Sequence, residues 1–110
     1  MAAAKQRSVP TYPLAEVHRL ASTVDARFVT GTAERDAWAE LGLKRDGIFR
    51  IVAALTTADF YKSMPSEQNP GTFQDVYRPT CCTPLHQGGV QLYCKVQVVT
   101  KRIVISFKLR

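Results

Sequence analysis

The sequence predicts an α+β fold in which N-terminal helices pack on a mainly antiparallel, twisted β-sheet. Two observations predict it. Up to Leu55 the apolar residues recur mostly at helical spacing, and after Asp59 the period changes to two. Apart from one short strand, helices come first and consecutive strands follow, an order that suits α+β rather than alternating α/β. No repeat and no linker divides the 110 residues, so one domain over 1–110 is expected.

Residues 1–12 read as a loose basic arm. Lys5, Arg7 and Pro10 stand among small residues without apolar periodicity, which fits disorder or a docking tail. A first helix is expected from Pro13, which suits a first turn, with Leu14, Val17, Ala21 and Val24 as its stripe. "RFVT" (27–30) reads as a short strand. Thr32 is the expected cap of a helix over 33–41, ended by Gly42, with Ala37, Trp38 and Leu41 on its buried face. Trp38 on such a face reads as core rather than as a platform for stacking bases. A third helix starts at Asp46 and carries Ile48, Ile51, Val52 and Leu55; Thr56 and Thr57 close it. "FYKSM", "FQDVYRP", "VQLYCKVQVV" and "RIVISFKLR" then read as strands separated by Pro and Gly.

The last two strands carry the clearest pattern. Each alternates an apolar with a polar face. With Thr100 and Lys101 as a two-residue turn, Val99 faces Arg102, and hairpin geometry fixes every other pair. Leu92 then meets Leu109, Cys94 meets Phe107, Val96 meets Ile105 and Val98 meets Ile103, so one whole face is apolar. The same register sets Tyr93 opposite Lys108 and Lys95 opposite Ser106 on the polar face. The turn residues are poor ones, because neither Thr nor Lys favours φ > 0. In "ADFYKSM" (58–64), Phe60 and Met64 share the parity of Lys62, so a polar face there requires a twist or bulge. Asp59 is expected to cap or turn the chain.

Composition narrows the function. The 45% hydrophobic and 22% charged residues are ordinary for a globular domain. No apolar run suits a membrane helix or a signal peptide, so the cytoplasm is the expected location. The net charge of +6 favours an anionic partner such as nucleic acid. Lys95, Lys108 and Arg110 make the polar face of the last hairpin cationic, and Tyr93 adds a ring on which a base can stack. Cys81, Cys82 and Cys94 read as reduced thiols in a strand and loop. "CCTPLH" with His86 lacks the further ligands of a zinc site, and no metal or other cofactor is expected. His18, with no carboxylate or second histidine placed to use it, reads as a packed or surface residue.

"LGLKRDGIFRIVAALTTADFYKSM", "QDVYRP", "VQLYCKV" and "IVISFK" together resemble the MqsR toxins, mRNA interferases of bacterial toxin–antitoxin pairs. The resemblance runs from about Lys5 to Lys108. It implies a RelE-like microbial ribonuclease fold and sequence-selective, ribosome-independent cleavage of single-stranded mRNA. It implies a partner too, an MqsA-like antitoxin that contains zinc and binds DNA. Matched motif by motif, the catalytic residues fall on Lys62, Gln74, Tyr93 and Lys108. "TCCTPLHQGG" looks longer than the family's usual loop and "PSEQNPG" varies, which affects the groove rather than the chemistry.

In such a reaction the RNA supplies its own nucleophile, the 2′-OH, and no metal is required. The protein must take that proton, stabilise a crowded phosphorane and protonate the 5′-oxygen. Either Lys62 or Tyr93 is the expected base, with Lys108 stabilising the phosphorane and Gln74 orienting the phosphate or a base edge. Arg78 and Lys95 are expected to contact the RNA, Arg78 in a bidentate manner. Two other readings share the charge: an RNA-binding module without catalysis, and an interaction domain for an acidic partner.

Overall fold

The computed structural model of the chain describes residues 6–66 and 71–109, the last two without their side chains. Helix α1 (Leu14–Ala21) follows Pro13 and buries Val17, Leu20 and Ala21. Val24, expected to extend that stripe, lies beyond the helix in a short 3₁₀ turn and is exposed. Strand β1 (Arg27–Val29) leads into α2 (Gly31–Asp36). The cap of α2 is Thr30, not Thr32: the Thr30 hydroxyl accepts the N–H of Ala33 at 3.2 Å.

Helix α2 runs on as a π-helical turn over Ala37–Leu41 and stops at Gly42, whose φ of 72° suits glycine. Ala33, Ala37 and Leu41 are its buried residues. They lie four apart on one stripe, and the two alanines let the helix sit close to the sheet. Trp38 is off that stripe and 58% exposed, with the Lys44 ammonium 5.8 Å from its ring centre, so it does not join the core as expected. Helix α3 (Arg45–Ala53) buries Ile48, Phe49 and Val52, and Leu55 follows them inward. Asp46 in its first turn accepts from Arg27 at 2.9 Å. Thr56 and Asp59 then form a capping box, so Asp59 does cap the chain there.

Five more strands complete a six-stranded sheet: β2 (Phe60–Pro65), β3 (Phe73–Tyr77), β4 (Thr80–Thr83), β5 (His86–Val99) and β6 (Arg102–Leu109). Its order is β1-β6-β5-β3-β2, with β4 also on β5. Only the β1–β6 pair among these is parallel. The β5–β6 register is the expected one, from Val99↔Arg102 out to Leu92↔Leu109. Thr100 and Lys101 make the turn at φ of 50° and 63° in spite of their chemistry.

The expected Cys81–Gly89 loop is instead a hairpin. β3 and the start of β4 hold one register against β5, interrupted at Arg78–Pro79, where Leu92 N–H still bonds the Pro79 carbonyl at 2.9 Å; the register shifts between Cys81 and Thr83. Of the two readings of the arm, disorder or a docking tail, the described residues show docking at Arg7, Thr11 and Tyr12. Arg7 bridges Ser63 on the outer edge of β2, at 2.7 and 2.9 Å. The N–H groups of Thr11 and Tyr12 donate to the buried carboxylate of Asp75 at 3.0 and 2.8 Å, and Arg7 lies over the ring of Phe73. Lys5 falls outside the described residues, as does most of the "PSEQNPG" loop (67–70).

All three helices cover one face of the sheet. There Tyr77, Leu92, Cys94, Val96, Ile103, Ile105 and Phe107 join Val17, Leu20, Ile48, Phe49 and Val52 in one core. No helix among the described residues is long and apolar enough to cross a membrane.

Candidate active site

Strand alternation decides what the uncovered face carries. Directly paired residues share a face, so the registers can be read across the sheet as rows. The middle row runs Lys62, Val76, Lys95, Ser106 from β2 to β6. One step along is an amide row, with Met64 opposite Gln74 and Gln97 opposite Val104, which also faces Phe28. Extending the β3–β5 register by one residue sets Gln74 against Gln97. One step the other way, Tyr93 pairs with Lys108, and the same extension sets Arg78 against Tyr93. The open-face positions of the described strands hold no Asp or Glu, so this face concentrates the cationic charge.

Lys62 reaches the open face through a bulge. β2 pairs Phe60 with Tyr77 but Lys62 with Val76, so the register shifts by one at Tyr61. Phe60 therefore stays with the core, its ring meeting Tyr77 edge-on at 5.6 Å, while Lys62 turns outward. The parity problem posed by "FYKSM" is solved for Phe60 in this way. Met64 keeps the face of Lys62, half-buried beside Gln74. The bulged residue, Tyr61, is 45% exposed. The Arg78 guanidinium stacks on its ring at 3.9 Å and the Lys62 ammonium lies 5.2 Å from it. Lys95 lies 5.9 Å from the ring of Tyr93.

Of the expected site residues, Lys62, Gln74, Arg78, Tyr93 and Lys95 come together on these three rows. The backbone of Lys108 joins them by register, while its side chain lies outside the described atoms. Tyr61 and Gln97 were not expected. The alternation of "VQLYCKVQVV" already gives Gln97 the parity of Tyr93 and Lys95, whereas only a bulge exposes Tyr61.

The covered face differs in chemistry. Burial, and then the nearby Asp75 carboxylate, pushes the Tyr77 phenol up to about 12. Burial likewise pushes the Cys94 thiol up to about 12 and raises that of Cys81. These groups stay protonated at neutral pH. His18 donates through Nε2 to the Leu55 carbonyl at 2.7 Å, and His86 to the Glu40 carbonyl at 2.9 Å, so each histidine ties two segments together. No group of three or more His, Cys, Asp or Glu side chains among the described residues is arranged to hold a metal.

Residues 9–109 match the model of the MqsR_toxin family, described as the motility quorum-sensing regulator, toxin of MqsA. The chain is 34% identical over 103 residues to the mRNA interferase toxin MqsR of Escherichia coli (strain K12), an alignment covering 94% of this chain and 97% of that protein.

Proposed function

Because this chain belongs to the MqsR toxin family, we propose that it is an mRNA endoribonuclease, the toxin of a pair whose antitoxin is MqsA-like. The reading is that the open face of the sheet cuts single-stranded RNA without a ribosome. The observation that carries it is the sharing of one face by Lys62, Gln74, Arg78, Tyr93 and Lys95, which come from distant parts of the chain.

The reaction is transesterification. The 2′-oxygen attacks the adjacent phosphorus as its proton passes to a base, either Lys62 or Tyr93. The bond from phosphorus to the 5′-oxygen breaks, and that oxygen takes a proton. The products are a 2′,3′-cyclic phosphate and a 5′-hydroxyl. Lys108 stabilises the phosphorane, whose charge exceeds that of the starting diester. Gln74, which can both donate and accept, orients the phosphate or a base edge. Arg78 and Lys95 hold the flanking backbone. All these steps use ribose and side chains, so cleavage is expected to persist in EDTA.

The test is to incubate the purified protein with end-labelled single-stranded RNA in EDTA and map the ends. Fragments with a 2′,3′-cyclic phosphate and a 5′-hydroxyl support the enzyme. Retention of RNA without cleavage makes the protein a binding module, and neither outcome makes it an interaction domain.

A further inference from the structure

Beside the middle row, the amide row closes into a trough of about 410 Å³. Gln97 is its floor. It is only 3% exposed, and its Nε2 donates to the Thr72 hydroxyl at 2.7 Å. Met64 and Gln74 form one wall, Thr32 and Val104 the other, and Lys95 stands at the rim. An amide at a central position of a sheet is an expensive choice where a β-branched apolar residue would pack well. Its same-face neighbour on β5, Val99, is of that kind.

The lining says what fits. A phosphate seeks several cations or N–H groups, and here one lysine stands at the edge. A flat, neutral heterocycle seeks apolar contact on its faces and paired donors and acceptors at its rim. Met64 and Val104 supply the first; Gln74, Gln97 and Thr32 supply the second. Proteins that read single-stranded RNA splay a base from the strand and bond its edges in this manner. Position agrees. Tyr93, Lys95 and Gln97 follow one another along β5 at steps of about 6.8 Å, so the trough opens next to the row that holds Lys62.

We propose that this trough takes one unpaired nucleobase flanking the scissile phosphate, and that Gln97, together with Gln74, reads its edge and so sets where the RNA is cut. The proposal rests on the enzyme reading above and adds to it a base subsite and a specificity-determining residue. Lys95 at the rim then holds the phosphate joining that nucleotide to the next.

The test uses a pool of single-stranded RNA of random sequence. Wild-type protein, Gln97→Leu and Val104→Phe each cut the pool, and the nucleotides around every new 5′-hydroxyl end are counted. Gln97→Leu removes the amide but keeps the bulk. Val104→Phe narrows the trough with every polar bond intact, and so stands in if the first variant folds poorly. Each variant is expected to lose about tenfold of base preference at one and the same flanking position while keeping it elsewhere. Preferences that stay unchanged at every position overturn the trough and leave the enzyme reading standing. Variants that keep their melting temperature yet cut nothing also overturn it, because a recognition pocket decides where a bond breaks, not whether. A wild-type protein that cuts no RNA ends both readings.

Discussion

The β5–β6 hairpin pairs without a break from Leu92 to Val99, whereas the β2–β3 hairpin slips by one residue at Tyr61 and is strapped from outside by Arg7–Tyr12. Both deliver side chains to the same open face. In β5–β6, strict alternation does so: Cys94, Val96, Ile105 and Phe107 take the core, and Tyr93, Lys95 and Gln97 are left outward. In β2–β3 alternation alone would carry Phe60 out with Lys62. The bulge separates them, and the Asp75 carboxylate on the covered face ties down the arm that closes the edge. One hairpin is held by its own pattern, the other by tertiary contacts.

Four perturbations bear on that contrast. The largest effect is expected from alkali, which attacks the seam between the hairpins, where Tyr77 of β3 faces Cys94 of β5. In the fold both groups keep their protons until about 12, while the ordinary thiol and phenol values are 9.0 and 10.0. Between these limits the unfolded chain binds fewer protons than the folded one, so stability falls as pH rises. The contribution is complete below about pH 9 and is lost by about pH 12. Urea midpoints measured from pH 8 to 11 are expected to fall steadily above 9, and less steeply in Tyr77→Phe.

Next is Asp75→Ala, which removes the acceptor for the N–H groups of Thr11 and Tyr12. Its expected cost is about 3 kcal/mol, read from the urea midpoint. A loss below about 0.5 kcal/mol would mean that the strap does not hold β2–β3. Third, Lys62→Ala from the bulged hairpin and Tyr93→Phe from the regular one are each expected to slow cleavage at least about tenfold, or about 1.4 kcal/mol of barrier. Fully active variants would remove these residues from the site. The smallest effect is a gain. Thr100→Asn with Lys101→Gly gives the turn residues that tolerate φ > 0, and about 1 kcal/mol of added stability is expected in thermal melts.

What was legible in the sequence follows the same contrast. The β5–β6 register, and with it Tyr93 opposite Lys108, could be read from alternation because a slip of one residue would have put every apolar side chain in water. Packing overrode the unfavourable chemistry of Thr100 and Lys101. The need for an irregularity near Lys62 was legible from parity, but not its form. Asp75 gave no signal, since its partners are backbone groups more than 60 residues away. For the same reason the sequence left the arm between disorder and a docking tail: main-chain bonding to Ser63 leaves no apolar periodicity. Trp38 failed as a core prediction because the small Ala33 and Ala37, not the large ring, set the distance from α2 to the sheet. "TCCTPLHQGG" hid a hairpin, because Pro and Gly mark turns without saying how far the flanking strands extend.

The claim that both hairpins serve one substrate has a direct measurement. An all-2′-deoxy oligonucleotide lacks the nucleophile and so binds without being cut. Titrated into isotopically labelled protein, it is expected to shift the amide resonances of Lys62 and Gln74 together with those of Tyr93, Lys95 and Gln97, along one saturation curve, leaving α1 and α3 unmoved. Shifts confined to one hairpin, or gathered on the helices, would contradict it.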